Sequence, residues 1–453
     1  MTNLKTMKSP LNFKAIIVCL FLTLSSLFSS AQAIKVEVKQ VDGNWQLFRG
    51  GEAYYIKGVG GQVYLDKAVE VGANSIRTWS LERAKEYLDA AHARGLTVTM
   101  GLWAQHERHG FDYNNEKAVA KQLEYFTRKV TELKDHPALL MWGIGNEVDL
   151  FYSNTKVWDA IQDIAAMIHQ VDPNHPTTTV TAGLDSSETA LILEKAPDID
   201  IYGINTYGEL EDVVDNMHKF GWNGPYFIAE WGPNGHWEVE KTSWGAPIEQ
   251  TSSEKAISYA HRYQYLRADS NTCIGSYVFL WGQKQETTAT WYGMFSADGE
   301  STESVDELHK AWRNAPPKNS SPQVGSFKIT KNEKEIPGNI LVAGERYDVS
   351  ANFTDIDGDK IIVDWQVVSE STDIKAGGDK EDAPPSIPGL IKSKSNSTMK
   401  FQTPKDEGAY RLFAFAYDKK GNMAYFNIPF YVRPNPEQKT NVQLKKRSLE
   451  FEY

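Results

Sequence analysis

The stretch LLMWGIGNEVDL, residues 139–150, decides how the rest of the chain is interpreted. Its apolar start runs into Gly-Ile-Gly and then into the polar pair Asn146 and Glu147. An isolated carboxylate inside a protein is costly, so a buried strand that ends on one either opens to water there or holds the carboxylate for chemistry. The stretch therefore predicts a buried strand with Glu147 at its mouth.

Seven further apolar runs also resemble strands, and longer amphipathic stretches separate them. They are AYYIKGV (53–59), ANSIRTW (73–79), LTVTMGLW (96–103), TTTVTAG (177–183), IDIYGINTY (199–207), PYFIAEWG (225–232) and IGSYVFLWG (274–282). Residues 80–95 and 117–134 have helical spacing, and we expect Ser80 to cap the first of these helices and Gly95 to end it. The alternation, over about 260 residues, predicts an α/β fold: a closed parallel (β/α)8 TIM barrel.

A doubly wound open sheet is the alternative to the barrel, because it shows the same alternation of strands and helices. Sheets of that kind that bind dinucleotides carry a glycine fingerprint after the first strand. No such fingerprint follows residues 53–59. The barrel is therefore the favoured fold, and we predict no cofactor.

Beyond residue 314 the pattern changes to a linker followed by short strands. The segment NAPPKNSSPQ is rich in Pro, Asn and Ser, and the short alternating runs after it indicate an immunoglobulin-like β-sandwich. We expect a spacer or weak glycan binder, so that deletion after Asn314 leaves the hydrolysis of short substrates largely unchanged. The predicted division is a signal (1–33), a catalytic barrel (34–314), a linker (315–324), a sandwich (325–434) and a polar tail (435–453).

The sandwich contains DIDGDK, residues 355–360, whose carboxylates are candidate calcium ligands. The helix-loop-helix calcium pattern requires Gly at position six and Glu at position twelve. Those positions are Lys360 and Gln366 here. A tight turn between two strands is the favoured interpretation.

The first 33 residues have the pattern of a secretory signal. Lys5, Lys8 and Lys14 precede the apolar stretch AIIVCLFLTLSSLF, and small residues follow up to Ala33. The apolar stretch is shorter than the roughly 20 residues of a membrane-spanning helix, although an uncleaved N-terminal anchor is the alternative. We expect an exported protein, periplasmic or extracellular, with no membrane span after cleavage.

The charge balance bears on the class of partner. The formal net charge is −11, and loss of the three signal lysines takes it to −14. Nucleic acids and anionic membranes are therefore poor partners, whereas uncharged substrates are compatible. Cleavage also removes Cys19 and leaves only Cys273, which is expected to be a small buried hydrophobic residue rather than part of a disulfide. No oligomeric state is indicated.

Two glutamates end predicted barrel strands, Glu147 on the fourth and Glu230 on the seventh. Barrel enzymes carry their reactive groups at the C-terminal ends of the strands, so both carboxylates are expected in one pocket. Hydrolysis of a glycosidic bond requires such a pair: one protonates the leaving oxygen and the other attacks the sugar or activates water, about 5 Å apart in a retaining enzyme. Their repulsion is expected to raise one pKa.

Other polar and aromatic residues are candidate ligands of a sugar or a metal. His106, Glu107 and His109 follow the third strand, but no further ligand lies at zinc spacing, so we predict no metal. Sugar contact and solvent exposure are the two other interpretations of these residues. Sugar stacking and core packing are equally open for four tryptophans: Trp103, Trp231, Trp237 and Trp291.

The motifs GNEV and FIAEWG resemble clan A of the glycoside hydrolases. The resemblance implies a retaining double displacement with Glu147 as acid/base and Glu230 as nucleophile. It also implies roles for four neighbours: Asn146 on the sugar 2-hydroxyl, Arg77 holding the nucleophile ionised, Tyr207 hydrogen-bonded to the nucleophile, and Trp281 under the reacting sugar.

Within the clan, the barrel is similar to the catalytic domain of glycoside hydrolase family 2. The motifs YYIKGVGG, GNEV and AEWGPN are also similar to the β-1,3-glucanosyltransferases of family 72. We therefore expect an exported retaining β-glycosidase that hydrolyses a neutral β-glucan, with a β-1,3 linkage as the first expectation. A β-glucan transglycosylase, and a carbohydrate-binding protein on a disabled barrel, are the alternatives.

Overall fold

Three antiparallel strands, β1 (Val36–Val41), β2 (Asn44–Arg49) and β3 (Glu52–Tyr54), precede a closed barrel of eight parallel strands. The barrel strands are β4 (Ile56–Gly60), β5 (Ser75–Arg77), β6 (Thr97–Leu102), β7 (Leu139–Ile144), β8 (Thr177–Ala182), β9 (Ile201–Asn205), β10 (Tyr226–Trp231) and β11 (Cys273–Val278). The computed structural model describes residues 32–269 and 271–436. The predicted TIM barrel is confirmed. Most of the predicted signal and of the tail lies outside the described residues.

A helix follows each barrel strand. The helices are α1 (Leu65–Val71), α2 (Ala84–His92), α3 (Glu116–Leu133), α4 (Lys156–Val171), α5 (Ser186–Lys195), α6 (Leu210–Met217), α7 (Ser252–Ala268) and α8 (Glu303–Arg313), with a short 3-10 helix, Glu107–His109, before α3. Among the described residues no helix has the length and apolar character needed to cross a membrane.

The predicted helix positions are right, with one error at a start. The helix expected from Ser80 begins at Ala84, because Arg83 adopts a left-handed backbone conformation with φ 54° just before it. The Ser80 hydroxyl instead accepts from the Glu82 N–H within a preceding turn. The second expected helix starts at Glu116, one residue before the predicted start, and the Asn115 side chain caps it by accepting from the Ala118 N–H at 3.2 Å.

Burial on both faces explains the near-continuous apolar strands. Every residue of β7 is buried. Leu140 packs inside the barrel with Val180 and Phe227, whereas Trp142 packs in the cluster between the strands and the helices. Parallel strands covered on both faces are near-continuously apolar, and the Asn146–Glu147 pair follows just after the end of β7, at the rim.

The three N-terminal strands cover the end of the barrel where its strands begin. The Val36 N–H donates to the Asn174 carbonyl at 2.8 Å, and the Trp45 N–H donates to the Asn271 carbonyl at 2.7 Å, in each case just before a barrel strand. Val36 and Leu47 also pack with the residues inside the barrel. The opposite end, where the strands finish, is therefore the one that holds a cavity.

The C-terminal part is a β-sandwich of a five-stranded and a four-stranded sheet. Its elements are β12 (Gln323–Lys331), β13 (Lys334–Glu335), a 3-10 helix (Pro337–Asn339), β14 (Ile340–Val342), β15 (Arg346–Thr354), β16 (Ile362–Ser369), β17 (Ile391–Lys394), β18 (Thr398–Gln402), β19 (Gly408–Tyr417) and β20 (Met423–Arg433). Trp365, Phe401 and Phe426 lie in its buried core. The predicted β-sandwich is confirmed.

The segment DIDGDK forms the turn between β15 and β16, as predicted. The Asp355 carboxylate accepts the N–H groups of Asp357 and Asp359 at 2.9 and 3.1 Å, which fixes the turn. Single carboxylate oxygens of Asp355, Asp359 and Asp418 lie within 4.8 Å of one another. The Lys420 ammonium lies 2.5 Å from Asp359 and offsets part of this negative charge.

A buried polar cluster joins the sandwich to the barrel. Lys255 of α7 lies 2.6 Å from Glu249, with both side chains almost fully buried. The Tyr425 hydroxyl accepts from Lys255 at 3.0 Å, and the Asn427 amide donates to Glu249 at 2.6 Å. Because β20 completes the hydrogen bonds of buried barrel residues, the structure does not support the expectation that the sandwich is only a spacer.

Loss of the Lys255 ammonium leaves the Glu249 carboxylate buried without its counter-charge. We expect Lys255→Ala to lower the free energy of unfolding by about 3–5 kcal/mol. Lys310→Ala is the matched control, because Lys310 pairs with Glu307 at 2.6 Å on an exposed helix surface, where such pairs contribute at most about 1 kcal/mol. Denaturant unfolding measures both values; equal losses would contradict the assignment of Lys255 to a buried junction.

Candidate active site

A cavity of about 800 Å³ opens at the ends of the barrel strands. Its lining includes residues that end, or closely follow, seven of the eight strands, from β5 to β11. This is the end of a TIM barrel at which reactive groups gather. Glu147 and Glu230 both line this cavity, so the structure brings the two sequence-predicted carboxylates together.

Glu230 lies in a ring of hydrogen-bond donors. Arg77 Nη1 lies 2.8 Å from Glu230 Oε1, with both side chains almost fully buried. Trp79 Nε1 donates to the same oxygen at 2.7 Å, and the Tyr207 hydroxyl donates to Oε2 at 3.0 Å. A buried guanidinium and two neutral donors stabilise a carboxylate anion, the form in which a carboxylate attacks carbon.

Glu147 has different surroundings. Its one hydrogen bond to a protein side chain among the described residues comes from Asn205 Nδ2, at 2.7 Å from Oε1. Burial in the cavity wall, followed by the negative charge of Glu230, raises the pKa of Glu147 to about 8, against the opposing effect of the Asn205 amide. Glu147 is therefore protonated at neutral pH, as a general acid must be.

The backbone at Glu147 is held in a sparsely populated conformation. Its φ is +50°, in the left-handed region that non-glycine residues rarely adopt. Gly145, with φ 74°, provides the turn just before it, and the Glu147 N–H donates to the Val180 carbonyl at 2.8 Å. Residues in such conformations cost about 1–3 kcal/mol and cluster at functional sites.

One hydrogen-bond network joins the two carboxylates. Asn146 Oδ1 accepts from Arg77 Nη2 at 2.6 Å and from Asn205 Nδ2 at 3.2 Å. Asn205 reaches Glu147, and Arg77 reaches Glu230. The network therefore holds Glu147 and Glu230 in fixed relative positions. Its side chains come from the ends of β5, β9 and β10 and from the segment after β7.

The structure places three of the candidate substrate contacts outside the lining of the cavity. Trp231 and Trp281 are fully buried and do not line the cavity; Trp231 packs on Tyr259 and Tyr263 of α7. His106 is also buried and outside the lining. Its Nε2 lies 2.6 Å from the Asn146 carbonyl oxygen, and burial lowers its pKa to about 4, so a neutral His106 supports the backbone beneath the site.

Other aromatic residues take the places expected for these tryptophans. Phe279, the residue after β11, lines the cavity, as do Trp79, Trp103 and Trp237. Trp291 belongs to the buried core. Trp79 and Asn205 were not singled out from the sequence, although Trp79 ends a predicted strand and Asn205 lies near the end of another, and that position was the available signal.

The sandwich also contributes to the cavity. Residues 374–378, in the connection between β16 and β17, form part of the lining. No motif in that segment indicates a role in the site, and it is more than 140 residues beyond Glu230 in the chain. The contribution was therefore not predictable from the sequence, and it corrects the interpretation of the sandwich as a spacer.

The lining is acidic, and its lysines are already paired. Lys284 Nζ lies 3.0 Å from Glu286, and Lys375 Nζ lies 3.2 Å from Asp373. Five glutamates line the cavity: Glu147, Glu209, Glu230, Glu238 and Glu286. The electrostatic environment therefore favours uncharged ligands over anionic ones.

Two carboxylates with unlike surroundings in one barrel cavity form the arrangement that glycoside hydrolysis requires. Comparison with known proteins agrees with this class: a family model described as "Glycosyl hydrolases family 2, TIM barrel domain" matches residues 68–236. The matched segment contains Arg77, Glu147 and Glu230. The barrel is thus similar to the catalytic barrels of glycoside hydrolases.

Individual relatives are distant. A β-glucuronidase of Paenibacillus borealis is 25% identical over 264 residues, which are 51% of this chain and 42% of that protein. Mannan endo-1,4-beta-mannosidase F of Aspergillus fumigatus is 24% identical over 266 residues, 44% of this chain and 60% of that protein. The chain thus spans about half the length of these curated relatives. A Bacteroides uniformis β-glucuronidase structure has a TM-score of 0.49 and 14% identity, covering 88% of this chain and 48% of that one.

The raised pKa of Glu147 predicts that activity is lost at high pH. Because the acid must carry a proton to give to the leaving oxygen, kcat/KM on a cleaved glycoside should fall as the pH rises through about 8. The basic limb should vanish in Glu147→Gln, assayed on the same glycoside as the unaltered protein, because glutamine has no proton to give to the leaving oxygen.

Asp149→Asn is the matched control for that pH profile. Burial raises the pKa of Asp149 to about 7, but the residue does not line the cavity. The variant should keep the basic limb but move it to somewhat lower pH, because the charge of Asp149 is one of the lesser causes of the raised pKa of Glu147. Loss of the limb in Asp149→Asn would mean that Asp149, not Glu147, is the group that titrates.

Proposed function

We propose that this chain is a retaining β-glycosidase that hydrolyses a neutral β-linked glucan by double displacement. The observation that carries the proposal is the network that joins a protonated Glu147 to an Arg77-paired Glu230 in one cavity. A general acid and an anionic nucleophile are both needed for glycosyl transfer to the protein. The roles are those implied by the clan A resemblance.

In the first step, Glu230 attacks the anomeric carbon and Glu147 gives its proton to the departing glycosidic oxygen. The bond from carbon to that oxygen breaks as an ester bond to Glu230 forms. Esterification removes the negative charge of Glu230, which is one cause of the raised pKa of Glu147. The pKa of Glu147 therefore falls after the first step, and the residue becomes a base.

In the second step, Glu147 removes a proton from water, whose oxygen attacks the anomeric carbon and releases Glu230. Arg77, Trp79 and Tyr207 keep their hydrogen bonds to the departing carboxylate. Two inversions at the same carbon retain the β configuration. Both glutamates return to their starting protonation states.

A neutral substrate is supported by the charges of the lining. A sugar carboxylate is usually recognised by an arginine or lysine free to pair with it, and the two lining lysines are paired with Glu286 and Asp373. Of the two curated relatives described above, the mannan-cleaving enzyme by its name acts on a neutral polymer. A β-1,3-glucan is the first substrate to test because of the family 72 resemblance.

A chain of sugars, rather than a single unit, is supported by exposed aromatic residues at the cavity. Phe151 is 72% exposed and Trp237 is 56% exposed, and both line the cavity. Large apolar side chains held in water at a cleft are suited to the apolar faces of sugar rings.

We propose export of this enzyme as well, which rests on the sequence of residues 1–33.

Removal of the nucleophile tests the proposal. Glu230→Gln should lower kcat by at least about a thousandfold, because no covalent intermediate can form. Glu209→Gln makes the same change at a lining residue outside the network and should cost less than about tenfold. Activity is measured as reducing ends released from β-1,3-glucan, β-1,4-glucan and β-1,4-mannan oligosaccharides, and an unchanged melting temperature checks the fold.

The outcome that would contradict the proposal is a Glu230→Gln enzyme with near-normal turnover on any cleaved substrate. Products longer than the starting oligosaccharide would assign the chain to the transglycosylases. Binding without release of any reducing end, by the unaltered protein, would instead assign it to carbohydrate-binding proteins.

A further inference from the structure

The rim of the barrel is low along one side of the cavity. The connection from β4 to α1 is residues 61–64, and that from β5 to α2 is residues 78–83. The connection from β10 to α7, by contrast, runs from 232 to 251. Short connections build little wall at the C-terminal face of a barrel, where substrate is bound by the loops.

A loop of the sandwich reaches the cavity and is anchored first beside β6. The loop, residues 370–390, joins β16 to β17. Its Asp379 carboxylate accepts from Arg108 Nη1 at 2.8 Å and lies 3.0 Å from His109 Nε2, both in the segment after β6. Arg108 also donates to the Ala376 carbonyl at 3.2 Å.

The same loop has a second anchor beside β11. Glu381 is 4% exposed, and its carboxylate accepts the N–H groups of Thr287 at 2.6 Å and Lys375 at 3.0 Å. Lys284 donates to the carbonyl of Gly378. Since β4 and β5 lie between β11 and β6 in the barrel, the two anchors stand on either side of the strands that have the short connections.

The tip of the loop fits the barrel closely. Gly377 and Gly378 have φ values of 61° and 68°, a conformation that favours glycine. A Cβ atom on Gly377 would lie 2.7 Å from Arg108 Nη2 and 2.8 Å from a methyl carbon of Leu150. The tip therefore packs directly against the segment that carries Leu150 and its neighbour Phe151.

We propose that the tip, residues 374–378, and Phe151 together form a binding subsite for a sugar unit beyond the one that is cleaved. Ile374 and Phe151 are 46% and 72% exposed and line the same cavity. Phe151 holds this position with a left-handed φ of 57°, again a conformation that is costly for a non-glycine residue.

This inference rests on the proposed function and adds a preference for longer chains. The sugar of the extra subsite is neutral and is held mainly by its apolar face, because the nearby Arg108 and Lys375 are paired with Asp379 and Asp373. Asp379 is a positioning residue, since it holds the tip in place without lining the cavity.

The experiment compares long and short probes on loop variants of the full chain. The probes are hexasaccharides of β-1,3-glucose, β-1,4-glucose and β-1,4-mannose and the 2,4-dinitrophenyl glycosides of the same sugars. Asp379→Ala releases the tip, and Phe151→Ala removes the other wall. Asp382→Ala is the matched control, because it removes an exposed carboxylate of the same loop for which the described residues provide no partner.

In both Asp379→Ala and Phe151→Ala, kcat/KM for the cleaved hexasaccharide should fall about tenfold, as expected for a lost subsite contact. The fall should be at least about five times larger than that for the dinitrophenyl glycoside. The double variant should lose less than the product of the single losses, because the two walls act on one sugar. Asp382→Ala should change neither probe.

Equal losses on long and short probes, or no loss on either, would overturn the inference while leaving the proposed function intact. If the unaltered protein cleaves none of the probes, the proposed function fails. The same variants are then compared by calorimetric binding of the hexasaccharides: weaker binding by Asp379→Ala supports the subsite, unchanged binding overturns it, and no binding by the unaltered protein overturns both.

Discussion

The site depends on the buried guanidinium of Arg77. Its side chain is almost fully buried, and it is paired with Glu230 at 2.8 Å. It also donates to the Ala229 carbonyl at 2.9 Å and to Asn146 at 2.6 Å. A buried cation is tolerated only when such partners surround it, so the charge that stabilises Glu230 also fixes the amide beside Glu147. The ends of β5 and β10 and the segment after β7 are thereby held in one arrangement.

The two glutamates differ because the fold gives them different neighbours, not because their chemistry differs. Glu230 receives a cation and two neutral donors, whereas Glu147 receives one amide and lies in the field of Glu230. The left-handed backbone of Glu147 adds a local cost. Without these different neighbours, the two carboxylates would be equivalent, and neither would be defined as the proton donor or as the nucleophile.

Much of this arrangement could be predicted from the sequence, because the reactive groups of a barrel gather where its parallel strands end. Arg77 was expected only from the clan A resemblance, whereas the rule for strand ends located Glu147 and Glu230 once a barrel was predicted. It failed for Trp231, and alternation gives the reason: the neighbour of an inward Glu230 points to the opposite side of the strand, here onto Tyr259 and Tyr263. Trp281 lies beyond the end of β11, where strand periodicity no longer applies.

The sandwich was predictable as a fold but not as a part of the site. Its short alternating runs indicate strands, yet the Arg108–Asp379 pair joins residues 271 positions apart, and the Lys255–Tyr425 contact joins residues 170 apart. Composition and local spacing carry no information on contacts of that range. The consequence is a two-part molecule in which the second part supports the barrel and shapes the cavity of the first.

The covalent step on Glu230 is tested most directly by the configuration of the first sugar product. Proton NMR in deuterated buffer detects that configuration during cleavage of whichever glucan or mannan is hydrolysed. A covalent glycosyl intermediate on Glu230 predicts that the β anomer appears first and the α anomer only later, by mutarotation. An α anomer formed first would mean a single displacement by water and would contradict a double displacement through Glu230.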